Sequence, residues 1–362
     1  MMGGFARNQH ALGIRHEKMP IARRGISATP SRHAPCQTTG TCKYCPFGAR
    51  FVACDYLDDL RAWNDVPNLE VRPGVAVDRL LCSDKHTIAG AEYRDGASGE
   101  TVKVNATRVI VAAGTIESAK LLQRSTSPDW PNGIGNDADL VGRHFVTHPY
   151  FIYTGSRPAN SLKLQPEMNF PTLFSRHFDS EAEQARGKFI LVNPPDSTPF
   201  DLAKLMQAGY DRDQIDTLLV DAHPVQLHGM VEVFGEHNNR VGSLTRRNRI
   251  GLHETEVNYS AAPGFTARMA EIKAQVQRIF AAMGATLVGD ASVSWRADHA
   301  GSTCRMSTNP ADGVVDPTLR VHGVDNLYVC SNAVFPAIGA VNPTLTLTAL
   351  ALRLADRLSG AI

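Results

Sequence analysis

The sequence lacks an excess of charge of either sign. Its 37 Lys and Arg residues offset 36 Asp and Glu residues, which gives a formal net charge of +1. Binding to nucleic acid or to an anionic membrane surface depends on an excess of positive charge. The local Arg cluster at 246–249 is typical of a solvated loop. We therefore expect no nucleic-acid partner.

Long hydrophobic runs are also missing. A membrane-spanning helix needs about 20 consecutive apolar residues, and no run in the sequence approaches that length. The first twenty residues contain no apolar core of the kind that signal peptides have. We expect no membrane span in this chain. The sequence leaves the compartment open between the cytoplasm and, with a partner, the periplasm.

The sequence also does not contain an even number of cysteines. The seven cysteines are an odd number, in a chain of 362 residues that is 43% apolar. Disulfide scaffolds stabilise small domains that have too little core, whereas this chain is long enough for two domains or one large one. Cys304 and Cys330 are interpreted as small buried apolar residues.

What is present is an alternation of strand and helix patterns. Residues 69–112 predict strands joined by turns, and "RVIVAAGTIESAKLLQRS" (108–125) predicts a buried strand, a Gly turn and a helix. Residues 151–260 hold several alternating strand candidates, and 264–285 have apolar residues at helical spacing. "NLYVCSNAVFP" (326–336) returns to a buried strand. The pattern indicates a mixed α/β chain.

The last helix has clear sequence boundaries. Asn342 is a good N-cap, Pro343 suits the first helical position, and Gly360 lies past the end. Its apolar residues run nearly all the way round, which predicts a buried helix. The start of such a helix presents N–H groups and a partial positive charge to whatever lies there.

His299, in "DHAGSTCRMS", is the residue whose surroundings suggest chemistry. It precedes a Gly turn, Asn342 stands at a helix start, and the strand between them would bring both to one side of a sheet. Neither Asp298 nor Cys304 has the spacing of a metal ligand. A His that accepts a proton beside an Asn that orients the same oxygen suits alcohol oxidation.

Each of these residues also has a structural interpretation. A single buried His is usually a core residue with its hydrogen bonds satisfied, and Asn342 is explained by helix capping alone. His144 and His148, in "GRHFVTHP", are interpreted as loop or domain-junction residues.

The chain resembles the glucose–methanol–choline (GMC) flavin oxidoreductases. The resemblance is strongest in "DHAGSTCRMSTNPADGVVDPTLRVHGVDNLYVCSNAVFPAIGAVNPTLTLTALALRLADRL", which is similar to that family's C-terminal signature. "CKYCPFGA", "TRVIVAAGTIESAKLLQRS", "LVGRHFVTHP" and "EVFGEHNNRV" resemble its upstream motifs in the same order. The resemblance extends over about residues 36–362 and is thin in the middle.

The resemblance implies specific roles. His299 matches the family's catalytic base, and Asn342 matches its paired His or Asn. The implied cofactor is FAD, and the positions that would bind it are Val77, Ala112, Ala113, Gly114, Ser331, Asn332, Pro343 and Thr344.

Two departures from the family pattern matter. The family opens with a strand followed by G-x-G-x-x-G, which holds a pyrophosphate, and that motif does not occur in this sequence. The chain therefore resembles an N-terminally incomplete member that lacks its first βαβ unit. In addition, Ser331 stands where the family often has Asp.

The run "PCQTTGTCKYCPFGA" resembles the cysteine-rich segment of bacterial sugar and polyol dehydrogenase large subunits in this family. In some of these an iron–sulfur cluster binds there, so Cys36, Cys42 and Cys45 are its candidate ligands, with Cys54 as a fourth. Free or structural thiols are the alternative.

The implied function is FAD-dependent oxidation of an alcohol, such as a sugar or polyol, by hydride transfer to flavin. Residues 1–145 and 295–362 would form an FAD-binding-type domain, and 146–294 a substrate-binding domain with a largely antiparallel sheet and helices. The electron acceptor stays open between a quinone, a cytochrome subunit and oxygen. Two alternatives are an inactive or incomplete fragment that cannot hold FAD alone and a non-catalytic iron–sulfur or thiol protein.

Overall fold

The computed structural model describes most of the chain. The described ranges are 11–15, 17–18, 22–25, 33–37, 45–63, 68–157, 173–175, 187–192, 202–215 and 223–360. They separate into two compact units, each made of three chain segments. None of the described helices is both long enough and apolar enough to cross a bilayer.

The first unit comprises 1–71, 150–230 and 266–294 and is built on a six-stranded sheet. The sheet has the order β1-β7-β8-β9-β6-β12, and the pairings with a defined register are antiparallel. The strands are β1 (Glu17–Lys18), β6 (Pro149–Arg157), β7 (Leu173–Ser175), β8 (Gly187–Val192), β9 (His223–Val231) and β12 (Thr286–Trp295). The helices are α1 (Ala53–Trp63), α3 (Leu202–Gln207) and α4 (Phe265–Ala282).

Helix α4 shows why this segment is helical. Its buried residues are Ile272, Val276, Ile279 and Phe280, which follow the i, i+4, i+7, i+8 spacing of one helical face. The helix ends before Gly284, whose φ of +70° favours glycine. The helix predicted over 264–285 is confirmed.

The second unit comprises 72–149, 231–265 and 295–362. It contains an antiparallel sheet of order β2-β3-β4, a hairpin of β10 and β11, and a parallel pair of β5 and β13. The strands are β2 (Val75–Cys82), β3 (Ile88–Asp95), β4 (Thr101–Asn105), β5 (Val109–Val111), β10 (Arg240–Arg247), β11 (His253–Asn258) and β13 (Leu327–Val329). The helices are α2 (Gly114–Arg124) and α5 (Thr344–Ser359).

These elements confirm the mixed α/β class. The largely antiparallel sheet lies in the unit that contains 150–230, and the strand, Gly turn and helix over 108–125 appear as β5 and α2. The assignment of 1–145 with 295–362 to FAD binding, and of 146–294 to substrate binding, stays a prediction.

The prediction that α5 is buried is wrong. Of its residues only Leu354 is buried, while Leu345 and Leu352 are 80% and 63% exposed. An all-round apolar pattern shows that a helix has faces to bury, but not that a neighbouring element covers each face. In the described structure α5 therefore presents apolar surface.

Lys120 is a buried cation in the core of the second unit. Its side chain on α2 is 2% exposed, and its Nζ donates to Glu117 Oε1 at 2.6 Å, to the His253 carbonyl at 2.8 Å and to Thr255 Oγ1 at 2.9 Å. All three donors of the ammonium group are thus used. This cluster links α2 to β11.

Asn326, directly before β13, bonds through one side chain to β3 and to the residues before β5. Its Oδ1 accepts from Ile88 N at 2.9 Å, and its Nδ2 donates to the Ile88 and Thr107 carbonyls at 2.8 and 3.0 Å. This amide therefore bonds the start of β13 to β3 and to the residues before β5.

We expect Asn326→Ala to lower the free energy of unfolding by about 1–3 kcal/mol, since it leaves backbone groups without partners. Urea denaturation of wild type and variant measures the loss. Asn132→Ala, at an exposed side chain, is the control and should change stability by less than about 0.5 kcal/mol. An equal effect of the two substitutions would contradict the role of Asn326.

Candidate active site

The parallel pair of β5 and β13 creates one edge where several predicted residues meet. Leu327 pairs with Val109 and Val329 with Val111, so both strands end at the same edge. Ala112, Ala113 and Gly114 follow β5, and 330–332 follow β13. Ligands of open parallel sheets bind outside the carboxyl ends of the strands.

The residues that follow β5 are accessible. Ala112, Ala113 and Gly114 are exposed. Gly114 has a φ of +73°, and a Cβ built on it would meet nothing within 4 Å. This is an open stretch of backbone that leads into the first residue of helix α2. Val77 lies on β2, where its side chain is 36% exposed and its carbonyl accepts from Arg124.

The residues that follow β13 are turned inward. Ser331 is buried, and its hydroxyl lies 3.3 Å from the Gly114 carbonyl and accepts from Ala333 N at 3.3 Å. Asn332 has a buried Oδ1 with no hydrogen-bond partner in the described structure. An unsatisfied buried acceptor costs about 1–3 kcal/mol, so this atom marks a place where a donor from a bound molecule would be stabilised.

A hydrogen-bonded loop holds His299 next to this edge. Thr115 Oγ1, at the start of α2, donates to the Ala300 carbonyl at 2.7 Å, and Thr303 Oγ1 donates back to the Thr115 carbonyl at 2.6 Å. Ser302 N donates to the Asn332 carbonyl at 3.2 Å. The loop after His299 is therefore bonded both to α2 and to the end of β13.

His299 lies at the centre of a polar cluster. It ends a short 3-10 turn (Ala297–His299) and is half-buried. Its Nε2 is 3.3 Å from Asn342 Nδ2, and its Nδ1 is 3.1 Å from His148 Nδ1. The structure thus brings together the two residues that the sequence predicts as a catalytic pair.

Asn342 does not cap α5, contrary to the sequence prediction. The helix starts at Thr344, Pro343 occupies the cap position with helical φ and ψ, and no side chain caps the helix. Because Pro343 stands between Asn342 and the helix, the Asn342 amide contacts His299 instead. The prediction for Gly360 is confirmed, since it ends α5 with a φ of +77°.

His148 is a member of the cluster that sequence reasoning missed. Its side chain is 2% exposed, and its Nε2 is 2.6 Å from the Gly339 carbonyl. It packs edge-on against His299 with 5.2 Å between ring centroids. Its position in the motif "LVGRHFVTHP" was the only signal available in the sequence.

A carboxylate, that of Asp298, directly precedes His299 in the sequence. Asp298 is exposed and pairs with Arg296. The hydrogen bond from Arg296 lowers the pKa of Asp298, so this carboxylate is charged at neutral pH.

The cysteine run is only partly described. Cys36 and Cys45 are half-buried free thiols, and Cys42 lies outside the described residues. Backbone N–H groups of Arg50 and Phe47 lower the pKa of Cys45. Within the described ranges no three His, Cys, Asp or Glu side chains are grouped to hold a metal ion. Cys304 is buried as predicted, and burial raises its pKa to about 12. Cys330, predicted to be buried as well, is only half-buried.

Comparison with known proteins identifies the family. Sequence profiles described as GMC oxidoreductase match residues 18–150 and 236–351. The chain is 30% identical over 355 residues to 6'''-hydroxyparomomycin C oxidase of Streptomyces lividus, covering 95% of this chain and 61% of that protein. It is 27% identical over 359 residues to the fructose dehydrogenase large subunit of Gluconobacter japonicus, covering 95% and 63%. The chain belongs to the GMC oxidoreductase family.

A solved structure supports the fold. Pyridoxine 4-oxidase from Mesorbium loti superposes with a TM-score of 0.55 at 20% identity, covering 86% of this chain and 62% of that one. The chain spans about three fifths of the length of the relatives named here.

Proposed function

We propose that this protein is an FAD-dependent oxidoreductase that oxidises a CH–OH group of a sugar or polyol. The observation that carries the proposal is the contact between His299 Nε2 and Asn342 Nδ2 at 3.3 Å. A substrate hydroxyl at this point would donate its proton to His299 and accept a hydrogen bond from Asn342. Family membership supports it, as do relatives named as a 6'''-hydroxyparomomycin C oxidase and a fructose dehydrogenase large subunit.

The residues around the cluster fit a flavin cofactor. The unpartnered Oδ1 of Asn332 would accept from the cofactor, and the exposed backbone at 112–114 leaves room for close approach. Val77, Ser331, Pro343 and Thr344 complete the proposed set. When bound, the flavin supplies the acceptor for the substrate hydride.

Within this proposal each protein group has a separate task. His299 takes the hydroxyl proton through Nε2. Asn342 holds the oxygen while negative charge develops on it. The first N–H groups of α5 have no acceptor within the helix, so this end carries a partial positive charge that stabilises an anion nearby.

The chain by itself is expected to hold FAD weakly. A pyrophosphate is normally held by a Gly-rich turn at a helix N-terminus, and G-x-G-x-x-G does not occur in this sequence. Because occupancy follows mass action, excess FAD would still load the site. Tightly held, stoichiometric FAD in purified protein would contradict weak binding.

The proposal is tested by visible absorption of anaerobically purified protein with added FAD and a panel of sugars and polyols. Bleaching of the flavin bands by a sugar or polyol supports it. Bound flavin that no alcohol reduces contradicts it and favours an inactive relative. Broad absorbance with iron and sulfide, lost in Cys42→Ser, would favour the iron–sulfur alternative. Adding oxygen or a quinone to reduced protein then identifies the class of electron acceptor.

We expect Asn342→Ala to slow flavin reduction about 10²-fold, which is typical for loss of one donor to a developing oxyanion. The thermal midpoint should stay at the wild-type value, because Asn342 does not cap α5. Stopped-flow kinetics and calorimetry measure the two effects. A lower thermal midpoint would instead show that the residue supports the helix.

A further inference from the structure

The hydrogen bonds of His148 determine which nitrogen of that ring carries a proton. Its Nε2 lies 2.6 Å from the Gly339 carbonyl oxygen, which can only accept a hydrogen bond. Nε2 must therefore carry the hydrogen. A neutral imidazole has one N–H, so Nδ1 of His148 then has a lone pair and acts as an acceptor.

That acceptor in turn orients the proton on His299. His148 Nδ1 is 3.1 Å from His299 Nδ1, and two unprotonated nitrogens at this distance would repel each other. His299 Nδ1 therefore donates to His148. In the neutral ring this leaves the lone pair of His299 on Nε2, the atom that faces Asn342 Nδ2 at 3.3 Å.

The opposite arrangement is disfavoured by burial. If His148 donated from Nδ1 while keeping its bond to Gly339, it would carry both hydrogens and a positive charge. Its side chain is 2% exposed, and burying a charge costs far more free energy than burying a neutral, hydrogen-bonded group. Asp298, the carboxylate next to His299 in the chain, is exposed and paired with Arg296.

We propose that His148 is a positioning residue that holds His299 in the tautomer with hydrogen on Nδ1 and the lone pair on Nε2. The order of the hydrogen bonds is His299 Nδ1–H to His148 Nδ1, and His148 Nε2–H to the Gly339 carbonyl. The tautomer itself follows from these contacts alone, while its use in proton abstraction rests on the proposed function. Partners that fix the tautomer of a metal-ligating His typically contribute about 10–100-fold to activity, and we expect an effect of that size here.

The tautomers are measurable by two-bond ¹H–¹⁵N correlation NMR of protein with ¹⁵N-labelled histidine. The chain supplies reference signals for both tautomers. His144 Nδ1 faces the Gly235 carbonyl at 3.0 Å, and burial lowers the pKa of His144, which keeps that ring neutral. His322 Nε2 faces the Ser307 carbonyl at 3.0 Å. The expected result is a His299 pattern like that of His144 and a His148 pattern like that of His322.

Two variants of similar shape test the role of His148. His148→Asn keeps an oxygen that can accept from His299 Nδ1, whereas His148→Leu has no acceptor. His299 should keep its tautomer in the Asn variant and lose it in the Leu variant. With FAD in excess, flavin reduction should be about 10–100-fold slower for Leu, and the Asn variant should recover most of that loss.

A wild-type spectrum with hydrogen on His299 Nε2 would overturn the proposal, whether or not the variants fold. So would an unchanged His299 tautomer in folded His148→Leu. Because the NMR measurement needs neither flavin nor substrate, it separates this inference from alcohol oxidation. A confirmed tautomer in protein that no alcohol reduces would count against the proposed function alone.

Discussion

His299→Ala is expected to slow flavin reduction by substrate about 10²–10⁴-fold, the usual contribution of a general base. The imidazole Nε2 faces Asn342, whereas the residues proposed for the adenosine end of FAD are Val77 and 112–114. FAD affinity should therefore stay close to the wild-type value. The measurement is anaerobic stopped-flow reduction at matched flavin occupancy.

His299→Asn is the informative second variant. It keeps a polar side chain that can orient an oxygen, but it cannot accept a proton at neutral pH. Its rate should be nearly as low as that of His299→Ala. His86→Ala, at an exposed ring bonded to the Gly323 carbonyl, is the control and should react like wild type. Equal rates for wild type and His299→Ala would mean that the base lies elsewhere.

Lys120→Met is expected to lower the free energy of unfolding by about 1–3 kcal/mol, because it leaves hydrogen-bond acceptors around the buried side chain without their donor. Met has a similar length but donates no hydrogen bond. The His253 carbonyl and Thr255 Oγ1 would each lose a donor, and Glu117 would keep Arg124 as its cation. Denaturant unfolding monitored by circular dichroism measures the loss.

Lys103→Met provides the comparison. Lys103 Nζ is 3.9 Å from Glu92 Oε2, and its side chain is 64% exposed. Exposed pairs contribute about 0–1 kcal/mol, so this variant should unfold almost like wild type. A loss in Lys120→Met no larger than that in Lys103→Met would show that the buried cluster adds little to stability.

Local patterns predicted the elements well where the signal lay within a few residues. The Gly turn between β5 and α2 was predicted because Gly114 separates an apolar strand from a helical pattern, and its φ of +73° is of the kind glycine favours. Whether α5 is buried could not be predicted in the same way. Burial depends on which neighbouring elements cover the helix, and a helical pattern does not specify them. Leu345 on α5 is accordingly 80% exposed although the pattern predicted a buried helix.

The same difference between local and long-range signals separates the site residues that the sequence predicted from the one that it missed. His299 and Asn342 were paired because their residue types suit one reaction and a short strand separates them. His148 contacts His299 across 151 positions of the chain, and no periodicity reports a contact of that separation. The prediction that Asn342 caps α5 was wrong because Pro343 occupies the cap position. The catalytic and cofactor roles of these residues stay predictions until the variants are measured.

The parallel pairing of β5 with β13 also bears on the order of events during synthesis. Val111 and Leu327 belong to adjacent strands but are 327 − 111 = 216 positions apart in the chain. At a translation rate of about 5–20 residues per second, β5 leaves the ribosome roughly 10–40 s before its partner exists. Pairings of such large sequence separation form slowly because loop closure precedes any gain from contact. The β2–β3–β4 meander can form as soon as residues 72–105 emerge, whereas the hydrogen bonds around His299 can form only after Asn342 has also emerged.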